Sequence, residues 1–157
     1  MKEYLQVKNH EGRNVYYLNG KGRELVGSDL ELNYNFQIDH YLMRNDMWIY
    51  YYCPKTWRTE ESVSFKDGLQ QMTIIPDATF TLESKYYFLE VDRTQSMVKN
   101  RNKIETYSKL NPLFHKELGH TPTVVFYTLT NLRKQKLKEY CQEYGVTCQV
   151  YTKEDIL

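Results

Sequence analysis

Three carboxylates dominate the middle of this chain. Asp77 lies in Ile75-Pro-Asp-Ala-Thr-Phe80, and Glu90 and Asp92 close Tyr86-Tyr-Phe-Leu-Glu-Val-Asp92. Both runs are rich in strand-forming residues. Glu90 and Asp92 are two apart, so on a strand they project from one face. If the two runs pair as a hairpin, Asp77 approaches the same place. Carboxylates brought together repel unless a cation or a basic partner sits among them. An all-oxygen cluster of this kind suits a hard divalent ion such as Mg²⁺ or Mn²⁺. The plainer alternative is a solvated acidic face, but Phe88, Leu89 and Val91 around the acids argue for an inner sheet.

The elements that must hold these residues can be read along the chain. Residues 4–8 and 14–18 read as two short strands around the polar turn Asn9-His-Glu-Gly-Arg13. Asn19-Gly-Lys-Gly22 breaks the pattern, and Arg23-Glu-Leu-Val26 opens a short helix. Such a hairpin has little core of its own. From Leu32 to Asn45 the positions Tyr34, Ile38, Tyr41, Leu42 and Asn45 follow helical spacing. Residues 47–53, Met-Trp-Ile-Tyr-Tyr-Tyr-Cys, read as a strand closed by Pro54. Residues 54–71 read as loop, anchored by Trp57. Residues 72–82 and 86–92 are the two acidic strands. A helix follows from about Ser96 to Leu110, ended by Asn111-Pro112. Residues 123–128 form a buried strand. Thr130-Asn131 caps a helix to about Tyr144, with Leu137, Cys141 and Tyr144 on one stripe and Gly145 as its stop. Residues 146–151 make the last strand. The order from residue 32 is α-β-β-β-α-β-α-β, an α/β sandwich with a mixed sheet.

Composition bounds the function. With 157 residues, one domain with a small appendage is expected. The 15 tyrosines suit half-wet sheet surfaces and can also stack on bases. Net charge is +1, so the whole molecule is not a basic clamp. The charge is uneven, however. Arg93, Lys99, Arg101, Lys103 and Lys109 face one acid, Glu105, and Arg133, Lys134, Lys136 and Lys138 face none within 133–138. These patches are compatible with a polyanion partner, and equally with two solvated helix faces. The three cysteines, Cys53, Cys141 and Cys148, form no metal spacing. Their odd number, with no apolar leader at Met1-Lys-Glu-Tyr-Leu5, argues for a reducing, cytoplasmic setting. No run approaches membrane-span length. A glycine-rich phosphate loop, a GxSxG elbow and a Cys/His nucleophile pair are all missing, which removes support for a small-molecule enzyme.

The α-β-β-β-α-β order with acids in the middle strands resembles the PD-(D/E)XK nuclease fold, the restriction-endonuclease-like core. Pro76-Asp77 matches its PD element, and Glu90-Val91-Asp92 occupies the (D/E)XK position. More narrowly, the chain resembles the replication-relaxation family of plasmid and mobile-element proteins. The residues that carry this are Pro76-Asp77-Ala78, Phe88-Leu-Glu-Val-Asp-Arg93, Lys103-Ile-Glu-Thr-Tyr107, and Val124-Val-Phe-Tyr-Thr128 with the basic helix after it. Asp46-Met-Trp48 following His40, and Trp57 with Glu60, fit the same family. The likeness covers about residues 32–152.

The resemblance implies a domain division at 1–30 and 31–157. Residues 4–26 look like the wing of a winged helix whose preceding helices are absent, which implies a fragment or a shortened member. The second part would be the nuclease-like domain. It also implies a DNA partner, a replication or relaxase protein partner, and a role in plasmid replication or conjugative transfer. In an active version Asp77, Glu90 and Asp92 would hold Mg²⁺ or Mn²⁺. The nuclease motif ends in Lys, and here that position is Asp92, which cannot supply positive charge. Lys103 is the replacement cation the resemblance suggests. It lies four before Tyr107, where RecB-like nucleases carry QxxxY, so the two share a helix side. Arg93, Lys99, Arg101, Tyr107, Arg133 and Lys134 are the expected nucleic-acid contacts. His40 reads as a structural histidine, and Glu60 or Asp39 as a further carboxylate. The rival expectation is a catalytically inactive DNA-binding or protein-docking module on the same fold.

Overall fold

The computed structural model describes residues 3–32, 35 and 37–156. Tyr34, counted above in the helical spacing, lies outside them. The chain divides into two compact units, Met1–Asp39 and His40–Leu157.

In the first unit, β1 (Leu5–His10) pairs antiparallel with β2 (Arg13–Leu18), with Leu5 opposite Leu18. Glu11 and Gly12 turn the chain at φ of 50° and 80°. That left-handed pair matches the twist of a two-residue hairpin. Asn19 then caps α1 (Gly20–Val26) by accepting from the Gly22 N–H, and Gly27 closes it in the left-handed region. Gly22 has no room for a side chain, because a Cβ there would lie 2.2 Å from the Tyr4 carbonyl oxygen.

The second unit carries the acids. Its elements are α2 (Ile38–Tyr50), β3 (Arg58–Thr59), β4 (Val63–Asp67), β5 (Gln70–Ile74), β6 (Ala78–Leu82), β7 (Lys85–Asp92), α3 (Met97–Leu118), β8 (Thr123–Thr128), α4 (Asn131–Tyr144), β9 (Cys148–Tyr151) and α5 (Lys153–Ile156). A five-stranded sheet has the order β3-β6-β7-β8-β9. β3, β6 and β7 are antiparallel, whereas β7, β8 and β9 run parallel. β4 and β5 form a separate hairpin. The result is a mixed α/β architecture with a mixed sheet and an N-terminal antiparallel hairpin, as expected.

Alternation along the central strands sorts the core. Phe88, Val124, Phe126 and Val150 pack with Ile104, Tyr107 and Phe114 of α3 and with Leu137 and Cys141 of α4. Leu89, Val91, Val125 and Tyr127 pack with Met43 and Met47 of α2. Among the described residues no helix is long and apolar enough to cross a membrane.

Four stretches differ from the sequence expectation. Residues 54–71, expected as loop, hold β3, β4 and the start of β5, because Val63 and Phe65 alternate onto the core as strand residues do. The helix expected at 32–45 runs from Ile38 to Tyr50 and absorbs most of the strand expected at 47–53. Met43 and Met47, one turn apart, anchor it on the sheet. That burial overrides the β-propensity of Trp48-Ile-Tyr50. Tyr52 and Cys53, at φ of 60° and 55°, end the helix, and Cys53 N–H donates to Trp48 O. The strand expected at 72–82 is two strands in different sheets, broken at Ile75-Pro-Asp77. Finally, α3 runs through Pro112 to Leu118. A proline inside a helix costs about 3 kcal/mol. Leu113 and Phe114, both buried beyond it, regain about 1.5–3 kcal/mol each.

This last difference is testable. Pro112 is exposed, so Pro112→Ala restores a helical N–H without disturbing the core. Urea unfolding of that variant should show a stability gain of about 1–3 kcal/mol. A loss would mean that the helix depends on a proline-adapted bend.

Candidate functional site

β7 sets the geometry. Phe88, Glu90 and Asp92 project towards α3 and α4, and the two acids are almost wholly buried there. Glu90 Oε2 accepts from Lys103 Nζ at 2.6 Å, and Oε1 accepts from the Tyr107 hydroxyl at 2.6 Å. Lys103 and Tyr107 are one turn apart on α3, so a single helix face closes both carboxylate oxygens. Burial pushes the Glu90 carboxyl above its ordinary range; the Lys103 ammonium offsets this only in part, and nearby Asp77 adds to it. For Lys103 burial works downward, but Glu90 prevails and holds the ammonium above its usual value. Burial and Glu90 together keep Tyr107 protonated.

Asp92 belongs to a different network. Arg133 grips it with both arms, Nε to Oδ2 at 2.8 Å and Nη2 to Oδ1 at 2.6 Å. Asn100 donates to Oδ1 at 2.8 Å and Thr128 to Oδ2 at 2.7 Å. Arg133 reaches inward because Thr130 starts α4 directly after β8. Burial alone would raise the Asp92 carboxyl, but the guanidinium, amide and hydroxyl donors leave it below its ordinary value.

Asp77 sits just before β6. Its N–H donates to the Leu89 carbonyl at 3.0 Å, and its carboxylate accepts the Val91 N–H at 2.6 Å. Its other oxygen lies 3.1 Å from His40 Nε2 on α2. Burial acts to raise its carboxyl; His40, the Val91 N–H and more distant Lys103 outweigh this and lower it. His40 was read from sequence as structural, yet it meets an acidic residue of the predicted set. The signal available was its spacing: His40 and Arg44 are one turn apart, alongside Met43 and Met47.

The three acids therefore do not share one cation. Among the described residues no three His, Cys, Asp or Glu side chains converge to hold a metal. Asp92 has its lone pairs taken, and Glu90 is closed by a lysine and a tyrosine. The donor set does not fit the expected three-carboxylate Mg²⁺ or Mn²⁺ site. What comes together instead is an acid–base cluster: Asp77 with His40, and Glu90 with Lys103 and Tyr107. A cavity of about 290 Å³ opens beside Glu90, Lys103 and Tyr107, walled by Ile74, Ile75 and Asn102.

Most expected nucleic-acid contacts are engaged elsewhere. Tyr107 is buried and cannot stack on a base. Arg133 is committed to Asp92. Arg101 pairs with Glu143 at 2.6 Å and lies against the rings of Tyr140 and Tyr144. Lys134 pairs with Asp155 at 2.7 Å. Arg93 is half-buried, and Lys99 is exposed. Asp39 meets His10 at 2.6 Å in the first unit, and Glu60 meets Arg44 at 2.8 Å.

A family model described as Replication-relaxation matches residues 4–124. The chain belongs to the replication-relaxation family. Asp77, His40, Glu90, Lys103 and Tyr107 all lie in the matched span, whereas Arg133 lies beyond it. No curated protein matches the chain. The solved structure of protein VC1899 from Vibrio cholerae is similar at TM-score 0.50 with 13% sequence identity, over 92% of this chain and 35% of that one. At that identity the likeness is one of fold alone, and the replication-relaxation chain spans about a third of that protein.

The Asp92 network yields a prediction. Removing one partner of a buried pair costs about 3–5 kcal/mol, so Asp92→Asn and Arg133→Met should each lose stability on that scale at pH 7 in urea unfolding. A carboxyl held low stabilises the fold above its unfolded value, about 3.9 for Asp, and loses that contribution as pH falls through the folded value. Asp92→Asn should therefore flatten the loss of stability in that acid range. Glu90 has the opposite sign: its raised carboxyl favours the fold at low pH and loses that contribution as pH rises through the folded value.

Proposed function

We propose that this chain acts as a DNA-associated protein of plasmid replication or conjugative transfer. Its second unit would be a PD-(D/E)XK-like core working as a binding or docking module rather than a phosphodiesterase. The supporting observation is the bidentate Arg133–Asp92 pair. A nuclease of this kind needs a free lysine at that strand position to meet developing phosphate charge. Here an acid stands there, already neutralised by a guanidinium from α4. Glu90 is likewise closed by Lys103 and Tyr107. Phosphate contacts would fall to exposed Lys99 and Lys138. Binding of that type is salt-sensitive and weakly sequence-selective.

A second reading, a phosphodiesterase, is favoured by one observation. Asp77–His40 and Glu90–Lys103 are near enough to shift one another's protonation, and the cavity opens onto the second pair. Buried, mutually perturbed acids and bases in a cleft are a recurrent mark of reaction centres.

Binding and nicking on single-stranded, duplex and branched DNA, with Mg²⁺ or Mn²⁺ added, separate the two. The binding module predicts retention of DNA, falling steeply between low and physiological salt, without cleavage. Asp77→Asn and Glu90→Gln should leave that binding unchanged or slightly stronger, since each removes negative charge. Metal-dependent nicking lost in both variants would select the phosphodiesterase. Failure of the intact protein to bind any of these DNAs would reject DNA association through this chain.

A further inference from the structure

Two cysteines of the second unit project into one layer, away from the acid cluster. Cys148 opens β9 opposite Val124, and strand alternation puts it on the same face as Val150. Val150 belongs to the core that the sheet forms with α3 and α4, and Cys148 packs against that core. Cys141 enters it from the last turn of α4 and is almost wholly buried. The connection between the two is short. Gly145, left-handed at φ 65°, donates to Gln142 O, and the Val146 N–H returns to Cys141 O at 2.8 Å. The chain doubles back there and sets Cys148 against Cys141, so that the two thiols meet.

The two sulfurs are not equivalent. The bond to Cys148, together with burial, pushes the Cys141 thiol up and keeps its proton. The same bond lowers Cys148; burial opposes this, and nearby Lys138 adds to the lowering. Cys148 is also the less buried of the pair. A half-exposed sulfur that carries thiolate character is the one an oxidant reaches, and a thiol held against it is placed to complete a disulfide. The third cysteine, Cys53, is exposed just beyond α2.

We propose that Cys148 and Cys141 form a thiol-oxidation site that closes to a disulfide, with a peroxide as its oxidant. For hydrogen peroxide, the Cys148 thiolate attacks one oxygen, the O–O bond breaks, and hydroxide leaves and takes up a proton. Cys148 is then a sulfenic acid. The Cys141 sulfur attacks the Cys148 sulfur, the S–O bond breaks, and the departing oxygen leaves as water with the Cys141 proton. The two thiols together lose two electrons and two protons, and the peroxide becomes two waters. The bond ties the end of α4 to the start of β9. α4 is the helix that brings Arg133 to Asp92, so the oxidised form holds that helix on the sheet. This site stands independently of the DNA reading above.

The test uses the full chain with Cys53→Ser, which leaves only these two thiols. Hydrogen peroxide should lower its mass by two hydrogens. Glu143 lies between the two cysteines, so cleavage after glutamate should give two peptides that separate only on reduction. Urea unfolding of the oxidised protein should move to a higher midpoint and return with dithiothreitol. Adding Cys141→Ser should stop the reaction at a Cys148 sulfenic acid that dimedone labels, whereas adding Cys148→Ser should leave Cys141 unoxidised. Circular dichroism checks folding, and should either serine variant unfold, the joined peptides of the Cys53→Ser protein decide alone. Peroxide that carries Cys148 to sulfinic acid while Cys141 stays free to alkylate overturns the inference. Two thiols left unchanged, a bond that forms only in urea, a covalent dimer, or a midpoint that falls on oxidation overturns it equally.

Discussion

Two carboxylates buried on one face of β7 are the constraint around which the second unit is arranged. Glu90 and Asp92 cannot point elsewhere, because strand alternation gives the opposite face to Leu89 and Val91, which pack on α2. A buried charge without a partner is among the costliest features a fold can carry. Each must therefore be met by the elements laid across that face. α3 supplies Lys103 and Tyr107 to one acid and Asn100 to the other, and α4 supplies Arg133. The requirement bears on the placement of both helices. Lys103, Tyr107 and Asn100 share one side of α3 with Ile104 and Leu110, so the helix must present polar and apolar partners together. Even its passage through Pro112 serves this packing, since stopping there would uncover the sheet beneath Phe114.

The two acids have similar settings yet opposite electrostatics. Asp92 meets a planar fork, an amide and a hydroxyl, enough donors to keep it ionised. Glu90 meets one ammonium and one phenol, and burial wins. A cluster that retains protons, next to a cavity, has capacity for change in a way that a saturated Arg–Asp pair does not.

Much of this was legible in the sequence. The face shared by Glu90 and Asp92 followed from their spacing. β8, the Thr130 cap and the Gly145 stop followed from local chemistry that the tertiary fold did not contradict. The errors have physical causes. Met47-Trp-Ile-Tyr50 is β-prone by composition, but Met43 and Met47 at helical spacing seat it on the sheet. Pro112 marks a helix end only where burial does not continue past it. Thr128 and Arg133 reach Asp92 from elements distant in sequence, and no local pattern announces that Arg133 turns inward while its neighbour Lys134 turns to Asp155. His40 reads from sequence only as a structural histidine, because a lone histidine carries no signature of the Asp77 that the fold brings beside it.

The two networks depend on different parts of the chain. Asp77, His40, Glu90, Lys103 and Tyr107 need only α2, the start of β6, β7 and α3, all within the span that the family model matches. The neutralisation of Asp92 needs α4, which that span does not reach. Asp92 sits where β7 ends and α3 is about to begin, so without Arg133 an uncompensated charge would remain between strand and helix, held there by Asn100, one turn before Lys103. Asp92 also favours the charged form of Lys103 across that gap. Freed from Arg133, it would compete with Glu90 for the same ammonium. By claiming Asp92, α4 leaves Lys103 to Glu90 and keeps the cluster beside the cavity a matched pair.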